Sequence, residues 1–280
     1  MGLDIRKPED IIRKVKKVDF MELLQLAHKY DSSLDVGSLL FDYSNGHTEL
    51  HQVYKDWEKS VDAGAPDFSL YGRAIYMNEA FNCWKLYSRR YLILLRSYLN
   101  RPDSVIDADS IRSVLDLGCG CGYTTVGLSS IFPNAHIYGT NLKDTLQYKI
   151  AENICKDFPQ CTICDESHNA DLPESPDVVF ASEFFEHLES PIVLLDDIIA
   201  KYHPKCFVFA NTFTQMSLGH FAQYYHGGIA FPGKTISRVF NDSLRAKGYV
   251  KVNAGFFNNR PNIYVLPETG PTKNRPLFEG

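Results

Sequence analysis

The chain has 280 residues, of which 44% are hydrophobic and 22% charged, and its formal net charge is −5. This composition is ordinary for a globular protein, and the acidic balance offers no general electrostatic footprint for nucleic acid. No apolar run approaches the ~20 residues that span a bilayer, and the charged start lacks the apolar segment of a secretory signal. We therefore expect a cytoplasmic protein with no membrane association.

The seven cysteines are an odd number and do not form a disulfide framework. Cys161-Thr-Ile-Cys164 is a single C-x-x-C with no second pair at a zinc-like spacing. Two small apolar side chains in or beside a strand explain it better than metal or redox chemistry. No metal is expected.

The first hundred residues read as helices rich in aromatic side chains. Helices are predicted over residues 9–30, 49–61 and 77–98 from their apolar spacing. In the last of these, aromatic residues that include Tyr87 form a stripe, either to pack onto the next domain or to line a substrate pocket. Arg90, nearby, could then meet a carboxylate or phosphate. Residues 1–104 are interpreted as a helical cap, with Tyr87 and Arg90 as candidate substrate ligands.

Beyond residue 104 the chain alternates short apolar runs with helices, which is typical of a doubly wound α/β sheet. The last two strands are predicted to form an antiparallel pair, and residues 269–280 a loose tail. The second domain therefore covers 105–268. Its predicted strands start at Ser113 and continue at 135–142, 161–164, 177–182, 206–211, 249–257 and 262–266, with helices at 123–131, 143–157, 192–202 and 237–247.

The first of these strands leads into glycines at alternate positions, Gly118, Gly120 and Gly122, and then into a helix. Strand, glycine turn and helix let backbone N–H groups approach a ligand closely. The dinucleotide fingerprint G-x-G-x-x-G would need glycine at position 123, where this chain has Tyr123. A nicotinamide cofactor is therefore disfavoured.

Two segments resemble the class I S-adenosylmethionine-dependent methyltransferases. Asp116-Leu-Gly-Cys-Gly-Cys-Gly122 resembles their first motif, and Asp177-Val-Val-Phe-Ala-Ser-Glu-Phe-Phe-Glu-His-Leu188 resembles the segment after their fourth strand. The resemblance covers roughly residues 105–266. It implies a Rossmann-like methyltransferase sheet, S-adenosylmethionine as cofactor and S-adenosylhomocysteine as product.

The resemblance also implies the cofactor ligands. The loop of Asp116, Gly118, Cys119, Gly120 and Gly122 would admit the methionine and ribose parts. Asn141, followed by Leu142, stands where the family usually has a carboxylate for the ribose hydroxyls. Ser182 ends the fourth strand. Asp165 is the direct candidate for the adenine amino group, with His168 or Asn169 as alternatives in a shifted register.

Candidate catalytic residues follow the fourth and fifth strands, at the carboxyl edge where ligands bind. Glu183 and His187 stand where the transferred methyl should lie, and His187 is either a general base or structural. An insertion at 211–228 has the composition of a lid, with His220 and His226 as further base or ligand candidates. Tyr224 and Tyr225 in that insertion are candidate substrate ligands. A metal held by the three histidines is not specified by their spacing.

The sequence therefore predicts methyl transfer to an oxygen or nitrogen of a small polar molecule by in-line displacement. The cap and the insertion would enclose the acceptor. The segment Ser182-Glu-Phe-Phe185 is neither the N-P-P-Y nor the Pro-Cys motif of enzymes that methylate nucleic-acid bases. A different transfer on the same fold and a non-catalytic binding module remain alternatives, and a homodimer is compatible with either.

Overall fold

The chain changes character near residue 112 in the computed structural model, which describes residues 17–166, 172 and 175–267. Before that point the described secondary structure is helical. These helices are α1 (Lys17–Tyr30), α2 (Val36–Ser44), α3 (Thr48–Asp62), α4 (Tyr76–Cys83), a π-helical turn (Trp84–Ser88) and α5 (Arg89–Leu99), with 3-10 turns at Phe68–Gly72 and Ala108–Ser110.

After residue 112 strands and helices alternate. The strands are β1 (Ser113–Leu117), β2 (His136–Asn141), β3 (Cys161–Asp165), β4 (Val178–Ser182), β5 (Cys206–Ala210), β6 (Gln223–His226), β7 (Ile229–Pro232), β8 (Val250–Val252) and β9 (Asn262–Val265). The helices are α6 (Tyr123–Ile131), α7 (Leu146–Cys155), α8 (Pro191–Tyr202) and α9 (Gly233–Ala246), and 3-10 turns lie at Phe185–His187 and Phe257–Asn259.

Seven of these strands form one sheet in the order β3-β2-β1-β4-β5-β9-β8. The first five are parallel, and β9 runs antiparallel to both β5 and β8. The strand order reverses between β1 and β4, so a crevice opens beyond their carboxyl ends. The predicted Rossmann-like methyltransferase sheet with its antiparallel C-terminal pair is confirmed.

The central strands explain why the sequence made this sheet recognisable. Every residue of β1, β4 and β5 is buried, because helices cover both faces of a parallel sheet. Such strands appear in sequence as unbroken apolar runs rather than as alternating patterns. One carboxyl group, Asp116, is nevertheless buried in β1.

Asp116 braces β1 against the start of α6. Its Oδ2 accepts hydrogen bonds from the hydroxyl groups of Thr124, at 2.6 Å, and Thr125, at 2.7 Å. Burial raises the pKa of Asp116 to about 7, although the two hydroxyl bonds oppose that rise. The Asp116 carboxyl group that accepts these two hydrogen bonds from α6 is therefore about half protonated near neutral pH.

The predicted helix over residues 77–98 is two α-helices joined by a π-helical turn. The backbone N–H of Arg89 donates to the carbonyl of Trp84, five residues earlier, instead of four. This extra residue rotates the faces of α4 and α5 relative to each other, so Trp84 and Ser88 are both buried. π-helical turns of this kind are frequent at functional sites.

The predicted glycine-bearing lid contains a β-hairpin, β6–β7, closed by Gly227 and Gly228, which both have positive φ. Such a two-residue turn suits the twist of paired strands. The hairpin is tied down, because the Tyr225 N–H donates to the Glu189 carbonyl at 2.7 Å. The buried Tyr224 hydroxyl donates to the Glu186 carbonyl at 3.2 Å.

Helix α2 was not expected from the sequence, in which Asp31-Ser-Ser33 signals a turn. Asp35 caps it, since its side chain accepts from the Ser38 backbone N–H at 2.9 Å. Helices α1 and α3 lie within two residues of their predicted ends, except that the predicted start of α1 lies outside the described residues. No helix in the described ranges is long and apolar enough to cross a membrane.

One buried hydrogen bond joins the N-terminal helices to the insertion after β5. The Trp57 indole N–H, on α3, donates to the His220 carbonyl at 2.7 Å. The Trp57 ring is also within 5.4 Å of the Phe221 ring, centroid to centroid, in an edge-on contact. This contact fixes the insertion against the helical part of the chain.

We expect Trp57→Phe to lower the free energy of unfolding by about 1–3 kcal/mol, because it leaves the His220 carbonyl buried without its donor. Urea unfolding measures this as a shift in midpoint. Tyr54→Phe, which removes an outward hydroxyl bond to Glu58, is the matched control and should change stability little. Equal shifts for the two variants would contradict the proposed role of the buried bond.

We also expect Asp116 to make stability depend on pH. A carboxyl group whose pKa rises from 3.8 to about 7 on folding stabilises the protein fully below pH ~4, and this contribution is lost as the pH rises to ~7. Its size is at most about 4 kcal/mol, at about 1.4 kcal/mol per pH unit. Asp116→Asn keeps an acceptor for both threonines and should flatten this decline in a pH series of unfolding measurements. An unchanged slope would show that Asp116 does not titrate there.

Candidate active site

A cavity of about 350 Å³ opens beyond the carboxyl ends of β1, β2 and β4. This volume lies in the range of small-molecule and cofactor sites. Of the predicted cofactor ligands, seven line it: Asp116, Gly118, Cys119, Gly120, Asn141, Leu142 and Ser182. Of the predicted catalytic residues, Glu183 and His187 line it. The two motifs therefore meet at one cavity.

The three loop glycines serve different purposes, although all have positive φ. A Cβ on Gly118 would collide with the ring of Phe184, and one on Gly122 would come within 3.0 Å of the Ala151 backbone in α7. A Cβ on Gly120 would meet no protein atom within 4 Å. Gly118 and Gly122 therefore permit close packing, whereas Gly120 presents bare backbone to the cavity.

Asn141 connects the end of β2 to this loop. Its Nδ2 donates to the Gly120 carbonyl at 2.7 Å, and its Oδ1 accepts from the Leu142 N–H at 2.8 Å. An amide has two donor hydrogens and two acceptor lone pairs, so one of each remains. A carboxylate could not donate to Gly120, which gives a local reason for asparagine here. The remaining donor and acceptor, beside the bare backbone of Gly120, fit a ribose.

The end of β3 contributes a residue that the sequence analysis did not select. Glu166 lines the cavity, whereas Asp165, the predicted adenine ligand, is half-buried and does not line it. Burial, and then the charge of Asp165, raise the pKa of Glu166 to about 7. His168 and Asn169 lie outside the described residues.

Glu183 follows β4 in a left-handed backbone conformation, with φ +50°, which non-glycine residues adopt rarely. Its Oε1 accepts from the Tyr91 hydroxyl at 3.0 Å and its Oε2 from the Thr212 hydroxyl at 2.9 Å. Arg260 donates to Thr212 Oγ1 at 2.9 Å and also bonds the Tyr91 hydroxyl. Both hydroxyl donors of Glu183 are thus held by one guanidinium group.

Glu186 is fully buried behind Glu183. Its Oε1 accepts from the Thr212 N–H at 2.6 Å, and its Oε2 has no donor among the described residues. Burial raises the pKa of Glu186 well above its ordinary value, and the charge of Glu183 and a hydrogen bond to it raise it further. A protonated Glu186 that donates to the Glu183 carboxylate satisfies both groups.

His187 contacts the Tyr71 hydroxyl through Nδ1, at 3.2 Å. Gly219 lies so close that a Cβ there would collide with both side chains. Burial lowers the pKa of His187 well below its ordinary value, and nearby His220 lowers it further, while a hydrogen bond to the Gly219 backbone opposes the shift. His187 is therefore neutral at pH 7, with an unprotonated ring nitrogen.

His220 is at the back of this arrangement. Its ring lies edge-on to that of His187, with centroids 4.8 Å apart, and its Nδ1 bonds the Gln215 carbonyl at 2.8 Å. His220 is buried and is not part of the cavity wall. Burial lowers its pKa. Its geometry therefore positions His187 and Trp57 rather than a substrate.

Five more predicted residues are not brought to the cavity wall. Gly122 packs on α7, and Tyr224 is buried under the hairpin. Tyr87 and Arg90 lie on the exposed face of the π-helical turn and α5, and Tyr225 on the exposed face of the hairpin. His226, at the end of β6, is likewise outside the wall. Of the predicted catalytic residues, Glu183 and His187 therefore meet at the cavity. In the described ranges no three His, Cys, Asp or Glu residues cluster as metal ligands would.

The opposite face of α4 and the π-helical turn supplies a cavity wall in which Glu79, Cys83 and Ser88 are the residues that the sequence analysis did not select. Its members share one helix face or the 3-10 turn before it: Phe68, Tyr71, Tyr76, Glu79, Cys83, Trp84 and Ser88. Ser88 and Ser182 bond to each other through their hydroxyl groups at 2.8 Å. Trp84, a member of the predicted aromatic stripe, lines the cavity, and Tyr91 of the same stripe bonds Glu183, whereas Tyr87 is exposed.

Comparison with known proteins supports a transferase. Residues 85–246, more than half of the chain, match the family model described as a methyltransferase domain. A malonyl-[acyl-carrier protein] O-methyltransferase of Bacillus anthracis is 30% identical over 97 residues, which are 34% of this chain and 35% of that protein. One of Bacillus cereus is 26% identical over 119 residues, 42% of this chain and 41% of that protein. The chain thus matches about two fifths of these relatives' length or less.

The chain also has a weaker likeness to solved methyltransferase structures. An O-methyltransferase family protein of Burkholderia thailandensis has 12% identity and a TM-score of 0.48, over 70% of this chain and 61% of that one. A precorrin-6y C5,15-methyltransferase of Geobacter metallireducens has 16% identity and a TM-score of 0.38, over 59% and 74%.

The sheet order, the glycine loop beside Asn141 and the family match over residues 85–246 agree with one another. The two predicted motifs extend beyond β1 and β4 and both line the cavity. The chain belongs to the class I methyltransferase family, whose cofactor is S-adenosylmethionine.

Proposed function

We propose that this protein transfers a methyl group from S-adenosylmethionine to an oxygen or nitrogen of a small polar molecule. The observation that carries the proposal is a single cavity whose wall includes both the glycine loop and the Glu183–His187 turn. A cofactor on the loop and an acceptor beside the turn would therefore share one enclosed space. The O-methyltransferase relatives favour oxygen, over a minority of the chain.

On the cofactor side we assign three contacts. The bare backbone at Gly120 admits the methionine and ribose parts, and the remaining donor and acceptor of Asn141 hold the ribose hydroxyls. Glu166 is placed to accept from the adenine amino group. When bound, S-adenosylmethionine supplies a methyl carbon that is electrophilic because it is attached to a sulfonium.

On the acceptor side, His187 is the group that can take a proton. It is neutral at pH 7 and lines the cavity, and Tyr71 and Gly219 fix its orientation. Glu183 has its carboxylate oxygens occupied by donors and so contributes fixed negative charge more than basicity. Holding the reactants in line can itself lower the barrier by up to ~7–11 kcal/mol.

The surrounding parts of the chain complete the enclosure in this proposal. The helical residues up to 104 form the cap, of which α4 and the π-helical turn contribute cavity wall. The insertion after β5 supports His187 from behind through Gly219 and His220. The cavity of about 350 Å³ has to admit the cofactor together with the reacting end of the acceptor.

Calorimetric titration tests the cofactor. We expect micromolar binding of S-adenosylmethionine and S-adenosylhomocysteine, no binding of NAD, and loss of at least tenfold in affinity in Gly120→Val, whose side chain would fill the cavity. Gly46→Val is the matched control, because Gly46 also has positive φ and open space around it but lies in a surface turn.

Three results would contradict the cofactor assignment. Absence of binding of both adenosyl ligands would favour a non-catalytic binding module. Binding of NAD would mean that the glycine spacing had been misread. Equal losses in Gly120→Val and Gly46→Val would attribute the effect to backbone strain rather than to the cavity.

We expect His187→Asn to lower kcat by about 100-fold or more, because general base catalysis contributes on that scale, with S-adenosylhomocysteine affinity unchanged. His226→Asn, outside the cavity wall, should stay within threefold of the parent. Since the pKa of His187 lies well below 6.5, the imidazole is already deprotonated from pH 6 to 8, and kcat should show no His187 titration there. A rise of kcat through pH 6.5 that His187→Asn removes would contradict this.

A further inference from the structure

The wall of the cavity contributed by α4 and the π-helical turn combines aromatic rings with a carboxyl group. Tyr76, Glu79, Cys83 and Trp84 follow one another along this wall. Trp84 is buried against Tyr123 at the glycine loop, with ring centroids 4.5 Å apart. Tyr76 is in edge-on contact with Tyr71, at 5.0 Å, and so adjoins the His187 side. This wall therefore extends between the cofactor loop and the catalytic turn.

Glu79 has no counter-charge on this wall. No hydrogen bond or ion pair to its side chain occurs among the described residues, and burial raises its pKa. The pKa of the Cys83 thiol is raised by burial, and next by the charges of Glu183 and Glu79. The carboxyl groups of Glu79 and Glu183 therefore both lie near Cys83, in the same part of the cavity.

The cavity as a whole is electronegative. Its described lining contains the carboxyl groups of Glu79, Asp116, Glu166 and Glu183 but no lysine or arginine. The guanidinium group of Arg260 lies behind Thr212 and Tyr91 rather than in the wall. An acceptor with a carboxylate or phosphate would find no lysine or arginine side chain in this described lining to pair with.

We propose that the acceptor carries a protonated amine, which lies beside Glu79 against the rings of Tyr76 and Trp84. An ammonium group satisfies a buried carboxylate with charge-assisted hydrogen bonds, and aromatic faces attract cations. The inference rests on the proposed methyl transfer and specifies its substrate class. The amine is the group that is recognised, and the methylated atom lies towards Glu183 and His187.

The test uses sets of three compounds that share one phenolic skeleton, whose hydroxyl group is the methyl acceptor, and that end in an amine, an alcohol or a carboxylate. Each is incubated with the full chain and methyl-labelled S-adenosylmethionine, and labelled product is counted. We expect at least tenfold more product from amine members than from their alcohol or carboxylate partners. Equal or greater labelling of alcohols or carboxylates, or labelling of none of the three classes, would overturn the proposal.

Calorimetry with S-adenosylhomocysteine distinguishes an incorrect substrate class from an incorrect assignment of methyl transfer. If the adenosyl ligand binds while amines are not preferred, only the substrate class is wrong. If the adenosyl ligand does not bind, the methyltransferase proposal itself fails.

Variants of Glu79 locate the preference. Glu79→Gln should raise the KM of amine acceptors at least tenfold and remove their advantage over alcohols, with S-adenosylhomocysteine affinity unchanged. Glu49→Gln, an exposed glutamate on α3, is the matched control and should leave both values unchanged. Glu79→Lys should reverse the order and favour carboxylates. An amine preference that survives both Glu79 variants would overturn the assignment to Glu79.

Discussion

The contact between Gly118 and Phe184 is the constraint on which the arrangement of the site depends. The Phe184 ring occupies the place of a side chain at position 118, so the glycine loop after β1 and the turn after β4 are packed directly on each other. The left-handed backbone of Glu183, next to Phe184, is part of the same turn. Glycine at 118 thus fixes the distance between the glycine loop and the Glu183–His187 turn. That distance sets the width of the cavity between them.

The helical part of the chain completes this arrangement through three kinds of contact. Ser88 bonds Ser182 at the end of β4, Tyr91 bonds Glu183, and Tyr71 contacts His187. Each of these residues contributes a hydroxyl group to a polar group of the turn after β4. Because a buried polar group is costly when unpaired, displacement of the helices would deprive Glu183 of the Tyr91 donor and His187 of the Tyr71 hydroxyl. The helices are therefore part of the site's chemistry as well as its cover.

The sequence allowed the sheet and the glycine loop to be predicted because both depend on local rules. Buried parallel strands are unbroken apolar runs, and loop glycines stand where φ must be positive. The wall residues Glu79, Cys83 and Ser88 could not be predicted in this way, because one extra residue in a π-helical turn decides which helix face meets the cavity. The role of Arg260 depends on a contact across 48 residues to Thr212, and no local pattern reports such a contact. Gly227-Gly228, by contrast, is a local sequence signal for a hairpin turn. We interpreted these glycines only as part of a lid and did not predict the hairpin.

Charge is the property that these separate elements create together. Asp116 comes from β1, Glu166 from the end of β3, Glu183 and Glu186 from the turn after β4, and Glu79 from α4. The pKa values of Asp116 and Glu166 are about 7 and that of Glu186 is well raised, because burial disfavours each additional anion. Asp116 and Glu166, which line the cavity, are therefore only partly ionised at neutral pH. A cation that entered the cavity would lower these pKa values and draw more charge onto the wall, so that the site becomes more complementary to a positive ligand as that ligand binds.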